Sequence, residues 1–484
     1  MNVLDTVRNA VILVSCAPVA ACLPPADDGP GMATDGTSGT GTTGEPGACP
    51  ALLDDLSGLP ETVHGAPVEE VDQDTVWAAA DSPHVVDGVV RVRAGATLTV
   101  EPCAVVLMGE GAQIAVEEGT LAAQGTADAP ILFDRRDGGR WGYLLAEEAG
   151  VVRLAHATLR GGGSDSVTYD GATVVGDGPT GGPYVENVFV QNVTVEDSAG
   201  YGIFMRRYAA FAPGSENLTI RGAGADLVQQ APRPLRIDVM AAGTIPTGTY
   251  TGNAADEIEL DPELEVVQDT TIPNRGVPYL VGGGGGITVA RQVDDPGPVP
   301  VLTIEPGVTL RFPNVPNSSA LTVGDDANPP RPGSLVAMGT AEAPIVFTSA
   351  EPEPAPGDWI GIMLPAGAGT PDSEVRLDHV EIAYAGAENG VGGYACHSED
   401  PSGNVLDEVG AVTIFGWAPA ASFLTNSTIE QSAGWGVFRG WSLDEGPDVD
   451  FTPTNTFSNL AYCEQNRIWD MCPNPDVYDC VGTI

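Results

Sequence analysis

Short runs of alternating apolar residues recur along most of this chain. Leu98 and Val100, Leu121 and Ala123, and Ile131 and Phe133 occupy every second position of their segments. That is the period of a strand with one buried face. The runs are brief, and Gly, Pro, Asn or Asp break them, residues that turn a chain readily. The pattern predicts many short strands and few helices.

The runs come in blocks, and the blocks repeat. GTADAPILF at 125–133 returns as GTAEAPIVF at 339–347. LTVEPC (98–103) is matched by LTIEPG (302–307), and GTLA (119–122) by GSLV (333–336). Trp141-Gly142-Tyr143 loosely parallels the stretch from Trp359 to Ile362. VRLAH (152–156) is matched by VRLDH (375–379), NVTVE (192–196) by NSTIE (426–430), and SAGYGIF (198–204) by SAGWGVF (432–438). The offset between partners grows along the chain, so insertions fall between blocks, as loops fall between strands. A shorter period is also present: Asn192-Val-Thr-Val and Asn217-Leu-Thr-Ile lie 25 residues apart. Three short strands in such a repeat make one coil of a parallel β-helix. A lone coil cannot bury its inner face, so coils stack. Asn at a fixed turn position tolerates left-handed backbone and can hydrogen-bond to the Asn of the next coil.

LTIEPGVTLRF, GSLVAMGTAEAPIVFTS, LDHVEIAYAG and LTNSTIEQSAGWGVF resemble the right-handed parallel β-helix family, the pectin-lyase-like fold. The likeness covers 75–460 twice over. It implies an all-β solenoid, internally duplicated, with two β-helical units in series at 61–230 and 269–460. Between them, 231–268 lacks a clear coil pattern, carries the acidic run DEIELDPELE (256–265), and is expected to be a connector. This fold carries lyases, hydrolases and adhesins, so activity must be read from a site.

The first 21 residues read as a signal peptide: Arg8, then an apolar stretch from Ala10 to Ala21 that is too short to span a bilayer. Val19-Ala20-Ala21-Cys22 resembles a bacterial lipobox, which implies diacylglyceryl transfer to Cys22. Leu13-Val14-Ser15-Cys16 also matches, but Cys22 leaves the longer apolar stretch. Residues 22–60 include DGTSGTGTTGEPG (35–47), which has nothing to bury and reads as a tether. The expected address is the bacterial cell envelope, at the outer membrane or cell surface, with a lipid anchor. Once Cys16 is removed and Cys22 acylated, Cys49, Cys103, Cys396, Cys463, Cys472 and Cys480 remain, an even set suited to disulfides in an oxidising compartment. The last three sit in a Cys-rich cap at 461–484.

Charge narrows the partners. The formal net charge is −46, which repels nucleic acid and anionic lipid. The partners left are an extracellular polysaccharide or a surface protein. The motifs of the fold's polygalacturonases, Gly-His-Gly and Arg-Ile-Lys, do not occur, and no catalytic residue is assigned. Asp294-Asp295 and Asp325-Asp326 lie in Pro/Gly-rich insertions and read as solvated loop charges. Arg153 and Arg376 recur at outward strand positions. His156 and His379 recur too and read as turn residues bonded to a neighbouring coil. Asp444, Glu445, Asp448 and Asp450 bring hard oxygen ligands close together and are the candidate Ca²⁺ site. Trp417, Trp435 and Trp441 lie nearby, and an exposed one could stack on a sugar. The reading that follows is a surface recognition protein. A polysaccharide lyase or hydrolase with an unfamiliar site and a purely structural spacer are the alternatives.

Overall fold

The computed structural model describes Cys49 and residues 59–468, apart from 166, 228–229, 263 and 391–407. Every strand pairing is parallel and joins one coil to the next, giving a right-handed parallel β-helix. One coil runs through Thr97–Val100, Val105–Met108 and Gln113–Val116, and the next through Thr120–Gln124, Ile131–Arg135 and Leu144–Glu147. Leu98 faces Leu121, Val105 faces Leu132, and Ile114 faces Leu144. The inward members of the alternation, Leu98, Leu121, Phe133 and Ile114, are fully buried. Each such side chain stabilises the stack by about 1.5–3 kcal/mol. No helix among the described residues is long and apolar enough to cross a membrane.

The duplicated sequence builds duplicated structure. In the first nonapeptide, Thr126 N donates to Ala129 O at 3.0 Å; in the second, Thr340 N donates to Ala343 O at 3.1 Å. Ile131 and Phe133 fill the core of one half, Ile345 and Phe347 that of the other. The loose Trp141/Trp359 match is real at the level of contacts. Both indoles are buried, and each Nε1 donates to a main-chain carbonyl at 2.8 Å, Arg160 O and Ala383 O respectively.

The halves do not stack as separate units. One 14-stranded sheet runs from Val68–Val71 to Thr456–Ser458 through both. Residues 231–268 are built into the coils: Leu235–Asp238 and Ile258–Asp261 pair with each other, and with strands on either side. The coil nevertheless changes face here. The 12-stranded sheet of the first half ends at Gly248–Thr249, and a new five-stranded sheet starts at Ile287–Val289, after a lone bridge from Val266 to Val289. Matched blocks therefore sit on different faces. Ile131–Arg135 belongs to the 12-stranded sheet, but its counterpart Ile345–Ser349 belongs to the 14-stranded one. Gly248 closes the old face against the backbone; a Cβ there would lie 1.9 Å from Leu218 O.

Cys49 is disulfide-bonded to Cys103. Cys463 is also disulfide-bonded. Cys22, Cys396, Cys472 and Cys480 lie outside the described residues.

Candidate functional site

The outer surface of the 14-stranded sheet carries a charged strip at the change of face. Four successive strands, Val174–Asp177, Ile203–Arg206, Leu235–Asp238 and Ile258–Asp261, end in Asp177, Arg206, Asp238 and Asp261. Asp177 lies directly opposite Arg206, and Asp238 opposite Asp261. Neighbouring strands are about 4.8 Å apart, so such end residues form a close column. Two residues back along the strands, on the same face, Phe204 faces Arg236, and Arg236 faces Glu259.

These are outward positions, yet they are largely shielded from water: Asp177 is 3% exposed, Asp238 3%, Glu257 6%, Glu259 7% and Asp261 9%. Buried carboxylates survive only when paired. Arg206 reaches Asp177 at 3.2 Å and Arg207 reaches it at 3.3 Å. Arg236 holds Asp261 at 2.7 Å and lies 3.6 Å from Glu259. Arg233 bridges Glu257 and Glu259, at 2.8 and 3.2 Å, and Arg311 adds a second contact to Glu257 at 2.7 Å. Tyr201 donates its hydroxyl to Glu259 at 2.6 Å, and Tyr184 donates to Asp238. Asp238 also accepts from Met240 N at 2.9 Å, capping the 3₁₀ turn Val239–Thr244.

The electrostatics follow from this packing. Burial raises the Asp177 carboxyl above its usual range, against the pull of Arg206 and Arg207. Burial raises Tyr184 and Tyr201 far above the ordinary tyrosine value, and the facing carboxylates of Asp238 and Glu259 add to it. For Arg236 burial acts downward, but Asp261 and Glu259 outweigh it, and the guanidinium stays firmly charged.

Beside this column lies a cavity of about 230 Å³, lined by Thr180, Gly181, Met205, Arg207, Tyr208, Asp238, Asp261 and Leu264. The Tyr208 ring packs edge-on to Tyr184, with centroids 5.2 Å apart. Apolar Met205, Leu264 and the tyrosine ring thus share one hollow with a guanidinium and two carboxylates. In a chain of 66 acidic and 20 basic residues, Asp177 is paired here with Arg206 and Arg207 and Asp261 with Arg236, while Asp238 accepts from Tyr184 and Met240 N. Charge pairing of this kind suits an uncharged polar ligand, which can accept and donate hydrogen bonds without adding unpaired charge.

The sequence-derived candidates lie elsewhere. Of Asp444, Glu445, Asp448 and Asp450, the last three are each held by a different partner. Glu445 accepts from Ser442 N at 2.8 Å, Asp448 pairs with Arg439 at 2.7 Å, and Asp450 accepts from Thr452 N at 2.9 Å and Gln465 Nε2 at 3.0 Å. Among the described residues no group of three His, Cys, Asp or Glu is placed to hold a metal ion. Trp435 and Trp441 are buried, and Trp417 donates to Leu364 O at 3.0 Å, so these indoles serve packing. Asp295 accepts from Gly297 N at 2.8 Å within its own loop. Asp325 is held by Arg331, which also grips Glu265. Arg153 sits outward, its guanidinium over the Phe189 ring at 4.5 Å; Arg376 is outward too, 3.5 Å from Glu374.

The His156 ring is bonded to a neighbouring coil, whereas the His379 ring bonds Asp378 beside it in its own coil. Both residues take left-handed backbone, with φ of 44° and 48°, as do Asn192, Asn217 and Asn426. Asn217 Nδ2 donates to Asn192 Oδ1 at 3.0 Å, and the Asn192 amide lies 3.3 Å from His156 Nε2. In the second half Asp378 takes the bonds of both His379, at 2.9 Å, and Asn426, at 2.8 Å.

A scan against protein-family models returns no match, and searches of curated proteins and of solved structures return none either.

Proposed function

We propose that this chain is a bacterial surface lipoprotein, anchored through Cys22, whose β-helix recognises an extracellular polysaccharide and seats one uncharged sugar residue in the cavity beside Asp238 and Asp261. The observation that carries this reading is the coincidence of three features at one place. The duplicated coil changes face, buried carboxylates gather among arginines and tyrosine hydroxyls, and an aromatic ring, a guanidinium and two carboxylates open onto a hollow the size of one sugar ring. Sugars are bound by such combinations, with the ring face on apolar surface and the hydroxyls on fixed polar groups. The lipobox-like VAAC and the tether that follows support the anchor. The net charge disfavours acidic glycans.

The test is a glycan array probed with a soluble fragment from Ala48 onward, with and without Ca²⁺, alongside Tyr208→Ala and Arg207→Ala. Binding to a neutral glycan that weakens at least tenfold in both variants is expected. Binding untouched by either variant, or no binding at all, rejects this site. New reducing ends after incubation with the bound glycan would establish hydrolysis instead. The anchor has its own check. All 20 basic residues are arginine, so the chain lacks lysine amines. The mature protein should therefore resist amine-reactive labelling if the Cys22 α-amine is acylated, and Cys22→Ala should leave the membrane fraction.

A further inference from the structure

The first coil is tied to the second by a chain of hydrogen-bonding groups that the glycan reading does not use. His64 ends the strand Thr62–His64, and His84 begins the strand His84–Val86 beside it. His84 is 2% exposed, and the His64 side chain 12%. Trp77, buried and closing the strand Thr75–Trp77, stacks on His64 with centroids 4.2 Å apart and on His84 at 5.4 Å.

Three polar gaps lie in line. Glu69 Oε2 is 3.4 Å from His64 Nδ1, His64 Nε2 is 3.2 Å from His84 Nδ1, and His84 Nε2 is 2.8 Å from Ala78 O. Each gap needs one hydrogen. Ala78 O is an acceptor, so His84 must carry its proton on Nε2. Its Nδ1 then accepts, and His64 must donate from Nε2. Two neutral imidazoles supply two hydrogens, and the gap left empty is the longest, a His64 lone pair facing the Glu69 carboxylate. One added proton on His64 Nδ1 fills all three gaps. A second, on His84 Nδ1, sets two N–H groups head to head across 3.2 Å.

We propose that Glu69, His64 and His84 form an acid-sensitive latch on the first coil, which accommodates one proton and is broken by a second. The charged groups on the elements around it are Glu69, Asp81 on the 3₁₀ turn Ala79–Asp81, Glu101, whose carboxylate accepts from Ala79 N at 3.0 Å, and the Glu61–Arg136–Asp87 ion network. Trp77 and the buried Val106 and Met108 contribute none. Burial lowers the His64 pKa below its ordinary value, with Glu69 pulling upward and His84 downward. Below about pH 6.5 the unfolded first coil therefore binds more protons than the folded one, so burying the first proton costs stability even though it completes the hydrogen-bond chain, and the chain itself breaks only with the second. The segment at stake, Thr62–Trp77, is where the body begins after the tether.

With five histidines in the chain, their ring nitrogens can be followed singly by NMR in the fragment from Ala48 onward, assigned with His64→Gln and His84→Gln. The expected result is a first proton that enters on His64 Nδ1 and leaves the first coil intact. At lower pH a second step should coincide with at least a tenfold loss of amide-exchange protection across 62–77, after correction for intrinsic rates. Glu69→Gln, at a part-exposed position, should weaken the first proton about tenfold, moving that step down by about one pH unit. Independent titration of the two rings, protection across 62–77 that is equal at pH 7.5 and 4.5, or a first step unmoved by Glu69→Gln overturns the latch.

Discussion

At the scale of single residues, the turn column is the clearest link between sequence and energy. Asn192 holds φ at 53° and accepts the Asn217 amide at 3.0 Å. Alanine there meets the left-handed region with a Cβ and no compensating hydrogen bond, at a cost of about 1–2 kcal/mol. Asn192→Ala should lower the urea midpoint accordingly, with the slope unchanged, while Asn192→Gly should recover most of the loss. If Ala and Gly behave alike, the backbone argument fails and the side-chain bond is what matters. This column was legible in the sequence because both causes are local: a residue type that tolerates positive φ, spaced by one coil. The His64–His84 pair was not legible. Its members are 20 residues apart, have no counterpart in the second half, and meet only because the first strand, Thr62–His64, happens to lie in register with His84–Val86.

At the scale of elements, the stretch 256–265 shows how a strand can hide. Ile258 and Leu260 point inward and are fully buried, while Glu257, Glu259 and Asp261 point outward. Alternation is present, but its polar half is acidic and its apolar half brief, so the segment reads as a solvated charge run. What makes it a strand lies far away in sequence: Arg233, Arg236 and Arg311 arrive from other coils. The acidic loop at 444–450 is the opposite case: its carboxylates are close in sequence, yet Arg439, Ser442 and Thr452 each take a different one. The buried network carries a sharp prediction. Arg236→Met keeps much of the packing over Phe204, which the guanidinium now covers at 4.9 Å, but removes the cation that holds Asp261 at 2.7 Å, while Glu259 keeps Arg233. Removing one partner of a buried ion pair costs about 3–5 kcal/mol. The loss should appear in chemical denaturation at pH 7 and shrink on acidification, as the orphaned carboxyl takes up a proton. A loss below 1 kcal/mol at pH 7 would mean that water reaches the strip.

At the scale of the whole body, the duplicated sequence invites the view that each half folds alone, and the sheet order argues against it. The 14-stranded sheet passes through the change of face without a break, from Ile258–Asp261 to Tyr279–Val281. Across the same boundary Arg331 grips Glu265, Arg311 grips Glu257, and Arg275 donates to Ile245 O at 2.7 Å. A cut after Gln268 would leave Ile258–Asp261 as an open edge on one fragment. On the other it would expose the edge of Tyr279–Val281, with the now fully buried Tyr279 and Val281 behind it. Open, flat, apolar edges pair with whatever strand they meet. A stack of coils is stabilised through its nearest-neighbour interfaces, so each fragment also loses the interface that held its end coil. Fragments 48–268 and 269–484, made separately, should self-associate or remain partly unfolded, and co-refolding them should restore a soluble complex of the size of the uncut body. Size-exclusion chromatography with circular dichroism reads both outcomes. Two monomeric fragments, each with a full β signal and its own unfolding transition, would show instead that the duplication still marks two independent folding units, and that the shared sheet was laid over a boundary both halves could survive without.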